Sequence, residues 1–186
     1  MTDCCHIKTG GSLFLDRDGV LNKIGEGEFV TSPDQLEMID GAAEAVALCN
    51  RFFKYVFVVT NQQCVGEGLL SSETLDSIHI KIMNAVEAAG GHIDHIYACT
   101  DVKEDYSLDR KPNIGMALRA RRDFPGVKLR NSVMVGDSYI DMLFGRRSKM
   151  QTVLIGSKSN VAELNPHIVH FRYPTLLEFA KSLSNE

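Results

Sequence analysis

Short apolar runs alternate with helix-patterned stretches along almost the whole chain, and few folds satisfy that alternation. Residues 13–15, 53–59, 93–99, 132–135 and 152–155 read as strands, rich in β-branched and aromatic side chains. Residues 168–171 are a sixth candidate. Helical spacing predicts helices over 41–50, 71–89, 113–122, 138–147 and 175–183, with Asp40 and Ser71 as caps of the first two. Strands that are apolar throughout belong to parallel sheets buried on both faces. The alternation therefore predicts an α/β fold: a Rossmann-like, mostly parallel sheet with helices on both faces.

The polar residues fall at telling places. Asp16 and Asp18, Thr60 and Asn61, and Asp137 all lie just past the C-terminal ends of predicted strands. In doubly wound sheets that edge binds ligands, beside the switch in strand order. Asp16 and Asp18 sit two apart, so an extended backbone would point both the same way. Like charges that close are costly without a cation, and carboxylate oxygens suit magnesium.

Size and composition narrow the rest. A chain of 186 residues, 44% hydrophobic and 24% charged, suits one globular domain over 1–186, with residues 1–11 expected as a flexible tail. A net charge of −4 speaks against a nucleic-acid partner. No apolar run is long enough to span a membrane, and the first twelve residues lack a signal-peptide core, so a cytoplasmic protein is expected. The five cysteines, an odd number, read as free thiols. Cys4-Cys5-His6 reads as part of the tail rather than a metal site. His79, His92 and His95 read as surface or satisfied histidines, and Arg119, Arg121 and Arg122 as a solvated helix face.

Asp16, Asp18, Thr60, Lys111 and Asp137 together have the parts of a phosphoryl-transfer site. Asp16 is the candidate nucleophile, forming an aspartyl-phosphate. Asp18 is the candidate acid and base. Asp16, Asp18 and Asp137 would hold Mg2+. Thr60 and the Asn61 amide could bond the phosphoryl oxygens, and Lys111 could pair with Asp16. Asp141 lies one helical turn after Asp137 and could orient Lys111 or hold a water on the ion.

The pattern resembles the haloacid dehalogenase superfamily of phosphatases. Asp16-Arg17-Asp18-Gly19-Val20-Leu21-Asn22, Thr60-Asn61-Gln62, Arg110-Lys111-Pro112 and Gly136-Asp137-Ser138-Tyr139-Ile140-Asp141 match its four motifs in order. With Gly115-Met116, the wording resembles the D,D-heptose 1,7-bisphosphate phosphatases and the related histidinol-phosphate phosphatases over residues 12–183. The resemblance implies a haloacid dehalogenase-type core with no large cap domain. It implies magnesium-dependent hydrolysis of a small phosphorylated metabolite, with Asn61, Gln62 and Arg110 touching substrate. The heptose bisphosphate is the first expectation, histidinol phosphate or another sugar phosphate the second. A non-catalytic phospho-ligand-binding protein on the same fold is the rival class. A monomer or weak homo-oligomer is expected.

The chain departs from that group in three places. The group's zinc loop, Cys-x-His and then Cys-x-Cys, is here Cys99-Thr100-Asp101 and Ser107-Leu108-Asp109, so structural zinc is not expected. Local pairing of Asp101, Lys103 and Asp105 is expected to hold the loop instead. Glu67 and Ser138 stand where the heptose enzymes carry positive charge.

Overall fold

The computed structural model describes residues 6–25, 27–156 and 161–184; Cys4 and Cys5 lie outside them. Six parallel strands form one sheet: β1 (Ser12–Leu15), β2 (Tyr55–Asn61), β3 (His95–Cys99), β4 (Val133–Gly136), β5 (Gln151–Ile155) and β6 (Phe171–Tyr173). Their order is β3-β2-β1-β4-β5-β6. The helices are α1 (Ala42–Cys49), α2 (Gln63–Gly66), α3 (Ser72–Ala88), α4 (Gly115–Asp123), α5 (Tyr139–Arg147), α6 (Val161–Leu164) and α7 (Leu176–Ser182).

Strand side chains alternate between two cores. Leu13, Leu15, Val58 and Val135 pack with Val46 of α1, Ile78 and Ile82 of α3, and Phe179 of α7. Phe14, Phe57, Val59 and Met134 pack on the other face with Met116 and Ala120 of α4 and Phe144 of α5. The rings of Phe14 and Phe57 lie 5.2 Å apart at their centroids. Each fully buried side chain of this kind contributes about 1.5–3 kcal/mol through area removed from water. No inserted domain interrupts the core among the described residues.

Sheet order fixes where the chemistry falls. The chain winds outward from β1 to β3, then returns to lay β4 against the other side of β1. Leu15 pairs with Val135, so Asp16 and Asp137 leave adjacent strands at nearly the same height. This is the crevice that the switch in strand order opens.

Several boundaries differ from the sequence expectation. The second strand starts at Tyr55, because the Phe53 N–H still bonds to the Cys49 carbonyl at the end of α1. It runs on to Asn61, which places Thr60 and Asn61 within the strand. Gly41, at φ 76°, precedes α1 with no side-chain cap, so Asp40 does not play that part. Ser71 caps α3 as the pattern suggests, and Ser138 and Thr175 likewise cap α5 and α7. Ile168 is buried but precedes the last strand; its carbonyl accepts from Thr152 Oγ1 at 2.7 Å. Helix α2 has four residues, too few to show a period.

Residues 6–11 are anchored rather than loose. The Lys8 N–H donates to Gln151 Oε1 at 2.7 Å, Gln151 Nε2 donates to the His6 carbonyl at 2.8 Å, and Ile7 is buried. Cys49, Cys64 and Cys99 are buried and free. No helix among the described residues is long and apolar enough to cross a membrane.

Candidate active site

Asp16 begins the turn after β1, and its N–H donates to the Val135 carbonyl at 2.9 Å. The turn passes so close to Asp137 that a Cβ on Gly19, at φ 80°, would lie 2.1 Å from Asp137 Oδ2. Only glycine permits that approach in that conformation. Gly136 is similarly crowded: a Cβ there would lie 2.2 Å from Asp141 Cβ. Asp141 sits in the first turn of α5, where its Oδ2 accepts from the Ser138 N–H and hydroxyl. This capping box fixes its rotamer.

Lys111 arrives from across the sheet. Its Nζ donates to Asp16 Oδ1 at 2.7 Å and to Asp141 Oδ1 at 2.6 Å. Asn61 holds the lysine's own backbone, accepting from the Lys111 N–H at 2.9 Å and donating to its carbonyl at 3.1 Å. The peptide bond from Lys111 to Pro112 is cis.

Asp16, Asp137 and Asp141 each offer an oxygen, and these oxygens all lie within 4.8 Å of one another. Burial pushes the Asp16 carboxyl up to about 8, with Asp141 adding to the rise and Lys111 opposing it. Burial pushes Asp137 up to about 6, again with Asp141 adding to it. Burial works against the charge on Lys111, yet Asp141 and Asp16 hold it protonated beyond the ordinary lysine range. One ammonium faces three crowded carboxylates, and hard oxygen donors at this spacing fit a divalent cation such as magnesium.

Asp18 takes a different position from the one expected. The chain does not continue extended past Asp16; the N–H groups of Leu21 and Asn22 both bond back to the Arg17 carbonyl. The turn keeps Asp18 on the wall of the cavity that Asp16 and Asp141 also line, held there by three side-chain donors. Asp18 Oδ1 accepts from Arg17 Nη2 and Asn22 Nδ2, each at 2.9 Å, and Oδ2 accepts from Gln62 Nε2 at 2.8 Å. The closely spaced trio of carboxylates thus includes Asp141, with Asp18 nearby on the same cavity wall.

Gln62 is also not a free substrate contact. It is buried, and its amide also donates to Thr60 Oγ1 at 2.7 Å. It fixes Asp18 and Thr60 together. The Asn61 side chain is committed to Lys111, and Arg110 Nη2 donates to Gln63 Oε1 at 2.6 Å while Nη1 reaches the Asp101 carbonyl at 3.2 Å. A cavity of about 170 Å3 is lined by Asp16, Asp18, Thr60, Asn61, Lys111, Ser138, Ile140 and Asp141.

Two contributors carried no chemical signal in the sequence. Arg17 is the largest fully buried side chain, and its guanidinium lies along Asp18. A buried arginine is a strong structural sign, but its burial is invisible before the fold is known. His79 corrects the expectation of a surface or satisfied histidine. It is buried, its Nε2 has no partner among the described residues, and burial, aided by Arg17, pulls it down to about 4.

The loop before Arg110 is not held by pairing among Asp101, Lys103 and Asp105. Cys99 Sγ lies 3.8 Å from both Asp101 Oδ2 and Ser107 Oγ, and Ser107 Oγ accepts from the Asp109 N–H at 3.2 Å. Asp109 pairs with Arg119 of α4 at 2.8 Å. Hydrogen bonds link Cys99, Asp101, Ser107 and Asp109, and the ion pair ties Asp109 to α4.

Residues 108–176 match a family model described as HAD-hydrolase-like. The chain is 37% identical over 130 residues to D-glycero-alpha-D-manno-heptose-1,7-bisphosphate 7-phosphatase from Mycobacterium bovis, covering 70% of this chain and 68% of that protein. It is 30% identical over 179 residues to D-glycero-beta-D-manno-heptose-1,7-bisphosphate 7-phosphatase from Neisseria meningitidis, covering 94% and 95%. Its fold matches the crystal structure of D,D-heptose 1,7-bisphosphate phosphatase from B. bronchiseptica complexed with magnesium and phosphate. The TM-score is 0.85 at 29% identity, covering 94% of this chain and 98% of that one.

Proposed function

The chain belongs to the haloacid dehalogenase-like hydrolases, and from that premise we propose that it removes one phosphate from D-glycero-D-manno-heptose 1,7-bisphosphate. The observation that carries the reading is the meeting of Asp16, Asp137, Asp141 and Lys111 at one point of the sheet edge. The heptose substrate comes from the relatives, whose names specify removal of the 7-phosphate.

Asp16 is the nucleophile. Lys111 holds Oδ1, and Oδ2 accepts no hydrogen bond from a described residue. Attack of this oxygen on phosphorus breaks the bond to the sugar oxygen and leaves an aspartyl-phosphate. Asp18 gives its proton to the departing oxygen, and then takes one from the water that attacks the aspartyl-phosphate. Arg17, Asn22 and Gln62 keep Asp18 in one orientation through both halves. Gln62 leaves the Thr60 hydroxyl hydrogen free to donate to a phosphoryl oxygen, since Thr60 Oγ1 accepts from it. Asp16, Asp137 and Asp141 would hold Mg2+, which neutralises phosphoryl charge and aligns the group for attack.

A second reading, a sugar monophosphate as substrate, is favoured by one feature. Ser138 caps α5 on the cavity wall and Glu67 is exposed, so neither position offers a cation to a second phosphate. A rate panel decides between them: both anomers of the heptose bisphosphate, heptose 7-phosphate and histidinol phosphate, each with and without Mg2+. The proposal expects the highest kcat/KM on a heptose bisphosphate. Higher values on either monophosphate overturn the substrate assignment, and no magnesium-dependent turnover on any of them overturns the activity.

A further inference from the structure

Away from the carboxylates, α4, the end of α5 and the segment before β4 enclose a larger cavity of about 610 Å3. Sites for small organic ligands occupy roughly 300–1,000 Å3, so the volume suits one. Arg121, Lys128, Arg130, Arg147 and Lys149 line it, with no carboxylate among the lining residues. The chain as a whole carries a net charge of −4. A quarter of its twenty basic residues thus gather at one opening. Among the described residues, the side chains of Arg121, Lys128, Arg130 and Lys149 form no ion pair. Arg121 differs in this from its neighbours: Arg119 pairs with Asp109 and Arg122 with Asp123.

The floor is apolar, built from Ile114, Leu118, Val127 and Leu129. A cluster of uncompensated cations repels itself unless an anion joins it. An apolar floor beside them gives that anion an uncharged body to bury.

Lys149 adds a separate observation. Its N–H bonds to the Arg146 carbonyl and the Met150 N–H to the Gly145 carbonyl, which closes α5 in the double-bonded turn where glycine is usual. Lys149 occupies the left-handed position, at φ 62°. A lysine there is strained where glycine would be relaxed. In this strained position the exposed residue lines the cavity.

We propose that this cavity binds a nucleoside di- or triphosphate, with the phosphates on the basic rim and the base on the apolar floor. The site is independent of the phosphatase reading, since it shares no lining residue with the acidic cavity.

Calorimetry on the full chain in EDTA, with ADP, adenosine and inorganic pyrophosphate as probes, tests it. ADP should bind in the micromolar range, at least about tenfold more tightly than either fragment. The exposed-residue variant Arg130→Glu/Lys149→Glu should weaken ADP by about tenfold or more while leaving phosphatase turnover unchanged. Lys149→Gly should raise the Tm by about 2 °C and still weaken ADP, an opposition that a purely structural lysine would not show. No ADP binding at roughly 1 mM overturns the proposal. So does pyrophosphate binding as tightly as ADP, or full affinity in the charge-reversed variant.

Discussion

Asp109 and Lys111 lie two residues apart on one loop, and their ion pairs differ in kind. Asp109 meets Arg119 at 2.8 Å with both side chains about a third exposed, 31% and 38%. Lys111 meets Asp16 at 2.7 Å and Asp141 at 2.6 Å with 3% of its side chain exposed. An exposed pair gains little, because water and salt compete for it. A buried one is expensive to assemble and still more expensive to break on one side. The outer pair ties a loop to a helix. The inner one keeps three acids and a base where phosphoryl transfer needs them, and the fold bears the cost of that placement.

The largest effect should come from the inner pair's chemistry. Asp16→Asn keeps the size and removes the nucleophile, so kcat should fall by about a thousandfold or more in a phosphate-release assay. Retained turnover would put the inner cluster on a level with the outer pair. Next comes stability. Lys111→Met strands buried Asp16 and Asp141, and urea unfolding without metal should show a loss of about 3–5 kcal/mol. A loss no larger than for Arg119→Ala would remove the distinction between the two pairs.

Gln62→Leu tests the layer around the cluster. It frees Asp18 and Thr60 without touching the ion's ligands. A kcat lower by about 10–100-fold at unchanged magnesium affinity is expected from steady-state rates over a Mg2+ series. The acid side of the pH range sharpens the contrast further. Asp137 is pushed up to about 6, so below that pH a proton occupies a site the cation needs. Asp16, pushed up to about 8, takes a proton at a second such site, so magnesium affinity should weaken as pH falls from about 8 through 6, as read by calorimetry, while Asp109–Arg119 is indifferent to magnesium. The folded chain also takes up this proton more readily than the unfolded chain does. The same holds for Asp16, so metal-free stability should decline as pH rises from the ordinary carboxylate value through 6 and on towards 8, and added Mg2+ should restore it. The smallest effect is at the outer pair: Arg119→Ala should cost about 0.2–1 kcal/mol and leave kcat unchanged.

The contrast also marks what a linear sequence discloses. Asp16 and Asp137 were legible because each follows an apolar strand run, and parallel pairing of β1 with β4 does the rest. Lys111 was legible through its motif. The partners of Asp18 are not legible, because alternation of side chains holds only while the strand lasts, and the chain turns at Arg17. Gln62 and Asn61 sit within recognisable motifs, yet their amides bond to Asp18, Thr60 and Lys111, partners that only the fold brings within reach. The docking of residues 6–11 depends on Gln151, far along the chain, and no local pattern encodes such a contact.

Magnesium titration of wild type beside Asp137→Asn, followed by phosphate release, tests the central claim most directly. The account predicts saturable magnesium dependence in wild type and an apparent affinity weaker by about tenfold or more in the variant. Turnover that ignores magnesium, or the same magnesium dependence in both proteins, would contradict it.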